Sequence, residues 1–164
     1  MKHPNPKIAQ TLAPVVLALM SGFSCTQKND FSDIPFLRFE SHEQQTQTVG
    51  GVTLDNLLVR IYFTDGNGDI GLEQSDTVPP YDVTLLVRTF QADGDTVVEV
   101  FDYDFNTRIP NLTPEGQNKA LEGVIEFDMD ISLRGSDSLQ FSFVLLDRAL
   151  NRSNEVFSPL IVLE

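Results

Sequence analysis

The chain has a single cysteine, Cys25, in 164 residues, and no tryptophan. One cysteine excludes an internal disulfide, so an exported domain of this size must rest on its hydrophobic core. Histidine is almost as scarce. Once an N-terminal leader is set aside, only His42 remains, in the polar stretch Glu40-Ser41-His42-Glu43-Gln44-Gln45, which reads as a loop. A Ser-His-Asp or Cys-His site would have to use that residue, and zinc would want several His or Cys ligands that are not there. Neither a glycine-rich phosphate loop nor a dinucleotide fingerprint occurs. Basic residues are few: 11 Lys and Arg face 24 Asp and Glu, a net charge of −13. That balance repels nucleic acid and anionic lipid, so no nucleic-acid partner is expected. Long hydrophobic runs are also missing. Leu12 to Met20, interrupted by Pro14, falls well short of the roughly 18 residues of a membrane-spanning helix.

The short run has a different meaning. Lys2 and Lys7 precede it, and the small residues of Ser21-Gly22-Phe23-Ser24 follow, directly before Cys25. This is the layout of a secretory signal peptide over residues 1–24. A cysteine at that point resembles the lipidated first residue of a mature bacterial lipoprotein, with Ser24 in place and Gly22 where Leu is usual. Gly22 and Ser24 also fit an ordinary small-x-small cleavage. The lipoprotein reading makes Cys25 the lipidation site and residues 25–33 a lipidated tether, leaving 34–164 as one domain. Several acyl chains, at about 0.8 kcal/mol per buried CH₂, hold a protein stably on a bilayer. Thr26-Gln27-Lys28-Asn29-Asp30 resembles a surface-export signal of Bacteroidota-type lipoproteins, and reads equally as a polar spacer.

The domain alternates with period two. A strand is predicted over Ile34 to Glu40 and a loop over residues 41–51. Leu57, Val59, Ile61 and Phe63 then share one strand face. Tyr81 to Phe90 and Thr96 to Phe105 read as strands about an Asp93-Gly94 turn. Residues 106–120 read as an irregular loop with a short helical turn near Pro114 to Lys119. Leu121, Gly123, Ile125, Phe127, Met129 and Ile131 face inward against an acidic outer face, as in a half-buried strand. Leu139, Phe141, Phe143 and Leu145 form another inward face, and Val156 to Leu163 closes the chain. About seven strands without a long amphipathic helix predict a single antiparallel β-sandwich of immunoglobulin-like type; a small β-barrel is the alternative.

One loop carries candidate chemistry. Asp65, Asn67 and Asp69 stand two apart, with Gly66 and Gly68 between them. Alternate oxygen side chains on a tight backbone converge on a hard cation such as Ca²⁺, and Glu73 and Asp76 are candidates to complete the shell. Relative to an EF-hand, Ile70 stands where Gly is expected and Asp76 where Glu is expected. The same residues also make a plain turn, in which Ile70 and Leu72 plug the domain end and the aspartates cap backbone donors. Asp147, Arg148 and Asn151 form a second polar cluster and read as structural. The acid pairs Asp102/Asp104 and Asp128/Asp130 each share a predicted strand face.

Phe63-Thr64-Asp65-Gly66-Asn67-Gly68-Asp69-Ile70-Gly71 resembles the F-T-D-G-D-G-D-I-G segment of small uncharacterised lipoproteins of Bacteroidota-type bacteria. The likeness extends to Ile34 to Phe39, Leu121 to Ile125 and Leu146 to Asn154. It implies a lipid-anchored β-sandwich and brings no activity with it. The expectation is a non-enzymatic binding or scaffold module of the bacterial cell envelope, on the outer membrane and facing either the periplasm or the cell surface. Its partners would be the membrane, through the lipid, and an envelope protein or glycan. The alternative is a carbohydrate-binding accessory of a polysaccharide-uptake system, for which Tyr62, Tyr81 and Tyr103 are the available phenols.

Overall fold

The computed structural model describes residues 30–132 and 136–163, so the signal-peptide and Cys25 readings lie outside the described residues. The described residues form eight strands: β1 (Phe36–Val49), β2 (Val52–Asp65), β3 (Leu85–Asp93), β4 (Thr96–Val100), β5 (Leu121–Asp130), β6 (Ser138–Leu145), β7 (Val156–Phe157) and β8 (Ile161–Val162). All pairings between them are antiparallel. One sheet has the order β1-β2-β5, the other β4-β3-β6-β7, with β8 also on β6. The sheets do not close into a barrel, so the sandwich expectation holds and the barrel alternative falls. The order is that of an immunoglobulin-like sandwich whose fourth strand has joined the second sheet.

Period two explains the packing. Leu57, Val59, Ile61 and Phe63 of β2 are buried, as are Leu139, Phe141, Phe143 and Leu145 of β6. Leu85 and Val87 of β3 and Met129 of β5 complete the facing layers. Outward β5 residues are exposed at every second position, Asp128 and Asp130 among them. Arg60 crosses from β2 to Glu126 at 2.8 Å, a solvent-exposed pair of small energetic weight. Shortening one core residue should show the packing directly. Ile61→Val is expected to lower stability by about 1 kcal/mol, read as a lower urea midpoint at unchanged slope.

Several boundaries differ from the sequence reading. β1 runs on through residues 41–49, so His42 is a strand residue paired with Val59 rather than a loop residue. The polar sequence hid this, because pairing with β2 through a Gly50-Gly51 turn, not apolar content, makes the strand. β3 starts at Leu85, so Tyr81 and Val83 precede it. β4 stops at Val100, which leaves Asp102 and Asp104 outside any strand. The last strand is split into β7 and β8 around Ser158-Pro159. The Ser158 hydroxyl accepts the Phe141 N–H at 3.0 Å and bridges the gap. No helical turn forms over 114–119. Residues 101–120 are instead stitched to the body: Thr107 exchanges backbone bonds with Leu85, and Leu112 N–H donates to Ile70 O at 3.0 Å.

Candidate metal centre

β2 ends at Asp65, at one end of the first sheet, and the chain then turns through Gly66 to Gly71. The apolar plugs of that turn are in place: Ile70 and Leu72 are buried. Asp65 Oδ1 accepts the Gly68 N–H at 2.5 Å and the Asp69 N–H at 3.2 Å, which fixes the turn. Asn67 is exposed and its Oδ1 accepts the Asp69 N–H at 3.3 Å. The capping role predicted for a plain turn is thus filled by one oxygen of Asp65. The other, Oδ2, is buried without a hydrogen-bond partner among the described residues, and so is Asp69 Oδ1.

The second sheet contributes a third carboxylate. β6 ends at Leu145, and Asp147 follows, bridged to Ile70 in antiparallel fashion. Its carboxylate accepts Asn151 N–H and Asn151 Nδ2–H, both at 2.7 Å, closing a tight turn in which Leu150 takes a positive φ of 64°. Asp147 is 1% exposed and Asp65 0%. Asp65, Asp69 and Asp147 each place a carboxylate oxygen within 4.8 Å of the others, so the cluster could hold a metal ion. Oxygens on a single Ca²⁺, at about 2.3–2.6 Å each, lie at most about 5 Å apart, so the spacing admits an ion of that size. An all-oxygen donor set suits hard cations over zinc or copper.

The electrostatics are unusual for buried acids. Among the described residues none of the three carboxylates is in an ion pair. The neighbouring guanidinium, Arg148, donates instead to Gly71 O and Asn111 Oδ1, both at 2.9 Å, and to Thr113 Oγ1. Burial pushes Asp65 up to about 6, opposed by the Gly68 N–H and reinforced by the charges on Asp69 and Asp147. Burial and Asp147 raise Asp69 as well, with Arg148 opposing. Three like charges therefore converge where water is scarce, and a cation is the group that relieves them.

Glu73 and Asp76, the remaining ligand candidates, belong to another turn. Glu73 N–H donates to Asp76 Oδ2 at 3.0 Å, Glu73 Oε1 accepts from Asn111 Nδ2, and Arg108 donates to both of their carbonyls. The third carboxylate comes from Asp147, which sequence reading treated as structural. Spacing along one loop could not reveal it, because β6 brings it in from the other sheet. Its signal in the sequence was an acid directly after an apolar strand, at the start of a turn rich in Asn and Ser. Comparison of the chain with models of protein families, with curated proteins and with solved structures finds no match.

Proposed function

We propose that this protein is a lipid-anchored β-sandwich of the bacterial cell envelope, held on the outer membrane through Cys25, that works as a non-enzymatic binding or scaffold module, with Ca²⁺ as the ion of its carboxylate cluster. The observation that carries the reading is where the described chain enters the fold. Residues 30–35 lead straight into β1, only a few residues after Cys25. A short polar spacer then joins a sandwich that offers its loops and outer faces to an envelope protein or glycan. The resemblance to uncharacterised lipoproteins of Bacteroidota-type bacteria supports the same placement. The acid pair Asp128/Asp130 suits this role better than catalysis, since both side chains are solvated on an outer strand face.

The first test is on the anchor. Cys25→Ser is expected to abolish incorporation of labelled fatty acid and to move the protein from the membrane to the soluble fraction. Continued labelling of the variant would end the lipoprotein reading. The ion is tested by thermal unfolding in calcium. A ligand specific to the native state adds roughly 2.7 kcal/mol at 100 times its Kd. An unchanged midpoint at millimolar calcium would remove Ca²⁺.

A groove of about 720 Å³ on the outer face of the second sheet favours one further reading, a carbohydrate-binding accessory. Arg88, Glu99, Tyr103 and Asn106 line it, and Phe101, 85% exposed, stands at its rim. Tyr103 stacks on Phe105, with ring centroids 5.8 Å apart. Planar rings beside polar side chains suit a sugar face. Silence of the protein on a glycan array would count against this reading.

A further inference from the structure

The N-terminal segment meets the carboxylate loop directly. Gly66, next to Asp65, donates its N–H to Ser32 O at 2.7 Å. The approach is so close that a Cβ on Gly66 would lie 2.3 Å from Phe31 O. On the opposite side, the turn after β6 is joined to the same loop by Arg148 N–H to Asp69 O at 3.0 Å. Three segments thus converge at this end: residues 30–33, residues 65–71 of the first sheet, and residues 147–151 of the second.

Hydrogen bonds alone leave the junction incomplete. Asp65 is 0% exposed, yet its Oδ2 has no hydrogen-bond partner among the described residues. A buried carboxylate oxygen without a partner is costly unless something positive meets it. The nearby guanidinium is spent on backbone carbonyls and side-chain oxygens rather than on the acids. Asp65 also sets the course of the loop through Gly68 and Asp69, and hence the position of the Gly66 N–H that holds Ser32. Whatever fixes Asp65 therefore fixes the entering segment.

We propose that one divalent cation of calcium size, held by Asp65, Asp69 and Asp147, is a clasp that locks the entering N-terminal segment onto both sheets at once. The inference rests on the calcium reading above and extends it: the ion sets how residues 30–33 are held against the sandwich. In its absence the three carboxylates push the loop and the turn apart, and the Gly66–Ser32 contact loosens with them. The ion occupies a joint between residues 30–33 and the ends of the two sheets.

The test is amide hydrogen exchange on the full chain, purified in detergent, with calcium and with chelator. Calcium is expected to slow exchange at least tenfold in three places: residues 65–71, residues 147–151 and residues 30–34. Asp147→Asn is expected to abolish the calcium effect in all three, while Asp128→Asn, on the outer face of β5, leaves it intact. Slowing at 65–71 and 147–151 with no change at 30–34 would overturn the clasp and keep the ion. No calcium-dependent change anywhere would overturn both. Should Asp147→Asn fail to fold, Asp69→Asn, at the less buried carboxylate of the cluster, takes its place with the same expected loss.

Discussion

Metal-free protein is expected to lose about 3 kcal/mol of stability as the pH rises from about 4 to about 7. Asp65 moves from an ordinary value of 3.8 to about 6 in the fold. A two-unit rise corresponds to about 3 kcal/mol between the protonation states. The sign follows from proton counting. Between the two values the unfolded chain has released the proton and the folded chain still holds it, so stability falls as pH rises through this window. Below about 4 both states are protonated and the penalty vanishes. Asp69, raised in the same direction by burial and by Asp147, adds to the fall, and Arg148 restrains it. On the proposed calcium site the trend should reverse in calcium, since a bound cation favours the carboxylate form. Urea unfolding at pH 5 and pH 7.5, in chelator and in calcium, separates the two. In chelator the midpoint should be higher at pH 5, and in calcium the order should level or invert. A metal-free midpoint that climbs between pH 5 and pH 7.5 would defeat the assignment. Asp65→Asn offers an internal control, because its amide oxygen can still accept from Gly68 and Asp69. It should flatten the slope and make the chelated protein more stable at pH 7.5.

Gly71→Ala is expected to be more damaging than substitution at an exposed turn glycine, and to weaken the cation site with the fold. Gly71 has φ 84°, and a Cβ there would lie 2.0 Å from Pro110 O and 2.6 Å from its carbonyl carbon. No flexible side chain can yield, because the obstacle is backbone. That backbone is also held in place: Leu72 N–H donates to Ile109 O at 2.9 Å, and Asn111 N–H to Leu72 O at 3.0 Å. The strained backbone costs about 1–3 kcal/mol alone, so with the steric conflict a total of about 3 kcal/mol or more is expected. Moving the turn around Gly71 also moves Arg148, which donates to Gly71 O, and Asp69 two residues earlier. Calcium affinity should therefore fall with stability. Gly94→Ala is the comparison, since φ there is 60° but nothing lies within 4 Å of the new methyl. That change should cost only about 1–2 kcal/mol and leave calcium affinity unaltered. Equal losses at the two positions would show that conformation, and not the Pro110 contact, sets the effect.

Much of this architecture can be read from alternation alone. Leu57 to Phe63, Leu139 to Leu145 and the inward residues of β5 each declare a buried face, and each lies where period two puts it. What alternation cannot mark is a strand made by its neighbour. Residues 41–49 of β1 are polar, and only their ladder with β2 makes them extended. The opposite error arises at Tyr81 and Val83, whose apolar side chains suit a strand but which lie in the connection before β3. The carboxylate loop was half legible. Asp65 and Asp69 announce themselves by spacing, and Ile70 by its apolar character between polar residues. Glu73 and Asp76 were attractive for the same reason and went elsewhere, because Arg108 and Asn111 claim that turn. Asp147 needed the sheet order to be known, since a ligand from the far side of a sandwich leaves no spacing to count.

The broad separation of Asp65 and Asp147 in the chain has a consequence for assembly. β1 and β2 meet through a two-residue turn and pair by local contact, whereas β2 finds β5, and Asp65 finds Asp147, only after long loops close. Such distant pairings form late, after the entropy of loop closure has been met. A luminescent lanthanide offered to the carboxylate cluster should therefore bind only after the ends of β2 and β6 have met, and would time that late step of folding.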